Sequence, residues 1–151
     1  MPWISTLAGV DLSQRMVELS RERKTNRDSE VYTSVETKEA TDFLSALEEK
    51  VDAILASDVI IYIGDLCPLL EESFKCLLND GLLGFTIESY EGSNENGFKL
   101  ERSGRFGHSR SYIEKVAKHK GFEVLSWDDC TLRQQGGKDV KGASVVLRKV
   151  L

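Results

Sequence analysis

The ten residues "VDAILASDVI", Val51–Ile60, constrain the fold more than any other stretch. The run is almost continuously apolar. A strand of that character is covered by protein on both faces, as in a parallel sheet flanked by helices. "LLGFTIES", Leu82–Ser89, is a second strand of the same kind. Between them Leu69, Leu70, Phe74, Leu77 and Leu78 recur at helical spacing. Asp65 is placed to cap that helix, and Gly81 to end it as the C′ residue.

The same alternation runs through the rest of the chain. Gly9–Leu12 reads as a strand ending in an acid, and Ser13 caps a helix reaching about Lys24, with Met16, Leu19 and Ser20 on one face. A polar connection, Thr25–Ser29, leads to a strand in which Val31, Thr33 and Val35 alternate. Ala40, Phe43, Leu44 and Leu47 mark an amphipathic helix. Tyr90–His108 is glycine-rich and aperiodic, which predicts a long functional loop. Ser109 or Ser111 starts the next helix, with Tyr112, Ile113, Val116 and Ala117 facing inward and Gly121 stopping it. "GFEVLSW" and "GASVVLRKV" follow as strands, and their connection is too short for a crossover helix, so they pair antiparallel. The predicted fold class is α/β: a three-layer sandwich with a mainly parallel sheet and a terminal antiparallel pair, in a single domain spanning 1–151.

Composition narrows the function. The net charge is −5 with no block of Lys or Arg, which argues against nucleic acid as the main ligand. Val51–Gly64 is too short and too polar for a membrane span. Cys67, Cys76 and Cys130 are odd in number and widely spaced, and only two histidines are present. No metal site is readable, and free thiols in a reducing cytoplasm are expected. The start of the chain lacks the layout of a signal peptide.

At this level the chain resembles the Rossmann-type S-adenosylmethionine-dependent methyltransferases. More narrowly, it resembles a subgroup of predicted methyltransferases often attached to tetratricopeptide repeats. The segments that carry the likeness are "GVDLSQRMVELSRER", "VDAILASDVIIYIGDL", "LLNDGLLGFTIES", "SGRFGHSRSYIEKVAKHKGFEVLSW" and "VVLRK". The SGRFGHS loop and its helix point to the subgroup. The family begins with a strand and a glycine-rich D-x-G-x-G-x-G turn, and that segment has no counterpart here. The missing strand would lie between those at Val10 and Ile54. The resemblance therefore implies a methyltransferase domain without its first β-α unit. It also implies sheet edges left unpaired and a tendency to form a homo-oligomer.

The resemblance assigns residues as well. Asp11, followed by Leu12, would take the ribose hydroxyls of S-adenosylmethionine through charge-assisted bonds. Glu39 and the backbone of Ala40 would face the adenine. Ser57, at the strand end Ala56–Asp58, would leave room for the cofactor. On the SGRFGHS loop, Arg105 would bind an anionic substrate group and His108 would serve as a general base. Without the resemblance, Asp11 and Glu39 are ordinary helix-start acids, Asp58 a helix cap, Tyr62 a core aromatic, and His108 a partner of a loop carbonyl beside an Arg105–Glu101 pair.

Magnitudes favour a weak form of the enzyme. Micromolar affinity needs about 8 kcal/mol. Charged hydrogen bonds from Asp11 and Glu39 supply about 3–6 kcal/mol before ordering costs. Cofactor binding by this chain is thus expected to be weak or undetectable, with an unidentified small molecule or protein side chain as methyl acceptor. Two other readings fit parts of the pattern: a non-catalytic remnant serving as an interaction module, and a nicotinamide-dependent oxidoreductase, which shares the acid at the strand tip. The terminal antiparallel pair speaks against the latter.

Overall fold

A computed structural model describes residues 4–25, 28–92 and 96–150 of the chain. Trp3, Asn26, Arg27 and residues 93–95 of the sequence-predicted connections lie outside that set. The chain divides into two compact units, Met1–Leu47 and Glu48–Leu151.

The first unit is a β-α-β-α run: β1 (Ala8–Asp11), α1 (Gln14–Arg21), β2 (Ser34–Thr37) and α2 (Ala40–Ser45). β1 and β2 pair in parallel, with Asp11 opposite Thr37. Helix α1 starts where the sequence said, because the Ser13 hydroxyl accepts from the amide of Met16. Its buried residue is Val17, while Met16 and Leu19 are exposed, so the inward face was misassigned by one position. β2 begins later than expected. The Thr33 amide is donated to the carbonyl of Leu7, and the ladder proper starts one residue on. Among the described residues β1 has a single strand partner, β2.

The second unit is built on one mixed, six-stranded sheet. Its elements are β3 (Val51–Ala56), a 3₁₀ turn (Ile60–Tyr62), α3 (Cys67–Cys76), β4 (Leu77–Ser89), β5 (Phe98–Leu100), β6 (Phe106–His108), α4 (Arg110–His119), β7 (Phe122–Gln135) and β8 (Lys138–Lys149). β4 is central. β8 runs antiparallel along one of its edges. Along the other edge it pairs in parallel with β3 over Leu82–Phe85, and then with β6 at Glu88 and Ser89. β5–β6 and β7–β8 add antiparallel hairpins, so the sheet is less parallel than the sequence suggested.

Three expectations are corrected in this unit. The Tyr90–His108 segment is no open loop, since it folds into the β5–β6 hairpin. Its strands are only three residues long, too short for an alternating pattern to register. Helix α3 stops at Cys76, and Leu77 and Leu78 belong to β4. Gly81 is inside that strand rather than a helix stop. The work of a C-cap falls to Lys149, whose ammonium donates to the carbonyls of Phe74 at 2.7 Å and Leu77 at 2.9 Å. Tyr62 is exposed, not a core aromatic.

The core forms on one face of the sheet. Leu83, Phe85 and Ile87 of β4 stand in register with Leu147, Val145 and Ala143 of β8, all buried. Leu69 and Leu70 of α3 and Ile113, Val116 and Ala117 of α4 are buried as well. Burial of each large aliphatic side chain contributes about 1.5–3 kcal/mol. On the opposite face Leu82 is exposed and Leu55 of β3 is 81% exposed. β3 also has one strand partner only among the described residues. The β7–β8 hairpin closes through Gly136 and Gly137, both at positive φ, as a two-residue turn of that hand requires.

Candidate functional site

In a sheet with parallel strands, ligands bind beyond the carboxyl ends of those strands. Both units place polar groups there.

In the first unit Asp11 ends β1. Its Oδ1 accepts from the amide of Ser13 at 2.7 Å, and its own carbonyl accepts from the amide of Lys38 at 3.1 Å. The second contact ties the end of β1 to the residue before Glu39, so Asp11, Leu12, Glu39 and Ala40 gather at one end of one β-α-β-α run. Leu12 is exposed. Oδ2 of Asp11 accepts nothing among the described residues. Glu39 is otherwise engaged: it is the N-cap of α2, with Oε2 accepting from the amide of Asp42 at 3.0 Å and Oε1 from the hydroxyl of Thr41 at 3.4 Å. A carboxylate used this way has little left for a ligand.

In the second unit the site lies where β4 exchanges β3 for β6 as its neighbour. Ser57 and Asp58 follow the end of β3, both exposed. Asp58 is not a helix cap. It sits at φ 59°, a left-handed conformation that Asp tolerates better than most residues, and its amide donates to Oγ1 of Thr86 at 3.0 Å. Glu88, the last acid of β4 and on the face opposite Ile87, is only 7% exposed. Arg133 of β7 donates from Nη2 to its Oε1, and Nη1 of Arg133 lies 3.8 Å from Asp58. Arg105 reaches the same Oε1 with Nε at 4.0 Å, so its partner is Glu88 and not Glu101. That Nε is buried and has no hydrogen-bond partner. A buried donor left unpaired costs about 1–3 kcal/mol.

His108 belongs to a different environment. It is 1% exposed, and its Nε2 donates to the carbonyl of Gly64 at 3.0 Å. Its Nδ1 is buried without a partner. Burial holds its pKa below the usual imidazole value against the opposing hydrogen bond to Gly64, so the ring is neutral at pH 7. It stacks on Tyr112 at a centroid distance of 5.9 Å and adjoins Phe98 at 6.0 Å. The Tyr112 hydroxyl accepts from the amide of Leu66 at 2.8 Å and donates to Oδ1 of Asp65 at 3.0 Å. Burial raises the Tyr112 pKa, whereas the amide of Cys67 holds that of Asp65 low.

The second unit thus brings Arg105 near the strand ends that carry Ser57, while His108 packs inward. Glu88 and Arg133 escaped the sequence reading. Glu88 was visible as an acid closing the apolar run "GFTIE". Arg133 left no such signal, because its aim depends on a register shift between Thr131 and Arg133 that seats Leu132 against Gly142.

The methyltransferase domain profile matches residues 2–85, more than half of the 151-residue chain. The chain belongs to the methyltransferase domain family. No curated protein matches it in sequence. Solved structures share the fold of this methyltransferase domain at low identity. An S-adenosylmethionine-dependent methyltransferase from Methanosarcina mazei superposes with a TM-score of 0.73 at 14% identity, covering 97% of this chain and 82% of that one. The N-methyltransferase NodS from Bradyrhizobium japonicum WM9, in complex with S-adenosyl-l-homocysteine, gives 0.71 at 18% identity over 98% and 68%. Magnesium protoporphyrin IX methyltransferase from Synechocystis PCC 6803, with bound S-adenosylmethionine, gives 0.65 at 15% over 95% and 59%. The cyclase SpnF also superposes, with a TM-score of 0.69 at 16% identity. The fold is thus shared by more than one chemistry, and the reaction must be read from residues.

Proposed function

We propose that this methyltransferase domain uses S-adenosylmethionine to methylate a small molecule or a protein side chain. The observation that carries the reading is Asp11: a carboxylate at the carboxyl end of a parallel strand, with Oδ1 fixed by the following turn and Oδ2 free to accept. Asp11 would hold the ribose hydroxyls, with Leu12 and the Ala40 backbone beside it. Glu39 contributes less than its position suggests, because it caps α2. Ser57 keeps the role of a small residue at a strand end. The residues present fit the ribose end of the cofactor.

When bound, the cofactor supplies an electrophilic methyl group. The protein's part is proximity and orientation, so no universal catalytic residue is required. His108 fits a positioning role better than that of a base, since its unprotonated Nδ1, the atom that would take a proton, is buried in a ring only 1% exposed. The acceptor side is carried by the strand ends of β3, β4 and β6.

We further infer that the family's glycine-rich βα element is not among these 151 residues, and that the chain is related to the tetratricopeptide-associated group. Among the described residues, the single strand partners of β1 and β3 and the exposed Leu55 support that reading, and it leads to the expectation of weak rather than tight cofactor binding. A thermal-shift titration with S-adenosylhomocysteine tests the function. A rise in melting temperature at millimolar ligand is expected, and a flat response contradicts it.

A further inference from the structure

At the carboxyl end of β4 two guanidiniums meet one buried carboxylate. Glu88 is the only buried carboxylate among the described residues of this cluster, and two guanidiniums share one of its oxygens. Arg133 makes the direct bond. Arg105 stands 4.0 Å away, beyond hydrogen-bond reach, with its Nε buried and unpaired. The remaining acid, Asp58, lies 3.8 Å from Arg133 Nη1 with a side chain 67% exposed, so solvent screens it. A guanidinium presents parallel N–H groups whose spacing matches a carboxylate, and here one is held ready by an internal acid. The place is the point at which β4 changes neighbours, and ligands of α/β sheets bind beyond the carboxyl ends of parallel strands at such points.

We propose that Arg105 and Arg133 bind a carboxylate of the methyl acceptor, and that Glu88 is the internal carboxylate that holds both arginines in position. The term acceptor rests on the methyl-transfer reading. The ligand class, a small carboxylate, rests on the cluster itself. Arg133 is then a specificity residue contributed by the β7–β8 hairpin.

The test uses the full chain, ¹⁵N-labelled, with the arginine Nε–H resonances followed by NMR. Sodium succinate is added at constant ionic strength. The Nε–H signals of Arg105 and Arg133 should move saturably, because a carboxylate seated on the guanidinium forks changes their surroundings. Arg133→Gln should weaken succinate by about tenfold or more. Arg105→Lys, which keeps the charge and removes the fork, should weaken it while the melting temperature holds. Saturating S-adenosylhomocysteine should leave succinate bound. The proposal is overturned if the signals do not saturate, if Arg105→Lys binds succinate as the wild type does, or if S-adenosylhomocysteine displaces succinate, which would assign the subsite to the cofactor's own carboxylate. Succinate affinity is first measured without cofactor, so this proposal and the methyl-transfer reading can fail separately.

Discussion

The guanidinium of Arg133 closes on the carboxylate of Glu88, joining the β7–β8 hairpin to the end of β4. Their positions are 45 residues apart in sequence, and the pair lies at the rim of the sheet rather than in its core. Because Glu88 is buried, removing one partner leaves the other charge uncompensated. Glu88→Gln should destabilise the protein by about 1–3 kcal/mol, read as a lowered urea midpoint. An unchanged midpoint would show that the pair carries no structural weight.

Lys149 stands in for a glycine C-cap at the end of α3. Lys149→Met keeps an apolar stem but loses both carbonyl contacts and the ammonium that sits over the Phe74 ring. A loss of about 1–2 kcal/mol is expected from two charged hydrogen bonds to partly buried carbonyls. Chemical denaturation of the two proteins side by side measures it.

His108 links stability to pH. Its folded pKa lies below the unfolded value because burial disfavours the charged ring. The unfolded chain therefore binds more protons below about pH 6.5, and stability falls as pH drops through that range. The urea midpoint of the wild type should decline between pH 7.5 and 5.5 more steeply than that of His108→Gln. Parallel curves would contradict the buried neutral imidazole.

Gly142 leaves no space for a side chain. A Cβ there would lie 2.2 Å from the carbonyl oxygen of Ile87 and 2.4 Å from Cδ1 of Leu132. Gly142→Ala must push β8 away from β4 at Glu88. A loss of about 2 kcal/mol or more is expected, comparable to overpacking a core, and a thermal melt reads it. A melt matching the wild type would mean that the strand pair yields at no cost.

Much of the fold was legible because helix and strand periods are local. Ser13 and Gly121 punctuate their helices as read, and "VDAILA" and "LLGFTIES" are strands. What was hidden depends on distant partners. The end of α3 is set by an ammonium 72 residues from Leu77, which no local signal could show. β5 and β6 are three-residue strands that exist only because β4 offers an edge. In the site, Asp11 was legible as an acid at a strand tip, whereas Glu39 read as a ligand because its capping bond to Asp42 cannot be told from sequence. His108 drew notice as a rare residue in an unusual loop. Its burial follows from the hairpin, not from the motif.

The central claim is that Asp11 anchors S-adenosylmethionine on this chain. Calorimetric titration with S-adenosylhomocysteine of the wild type and of Asp11→Ala measures it. The account predicts weak, saturable binding by the wild type, and binding lost in Asp11→Ala while that protein still unfolds in a single cooperative transition. No heat with the wild type at millimolar ligand, or equal binding by both proteins, would contradict it.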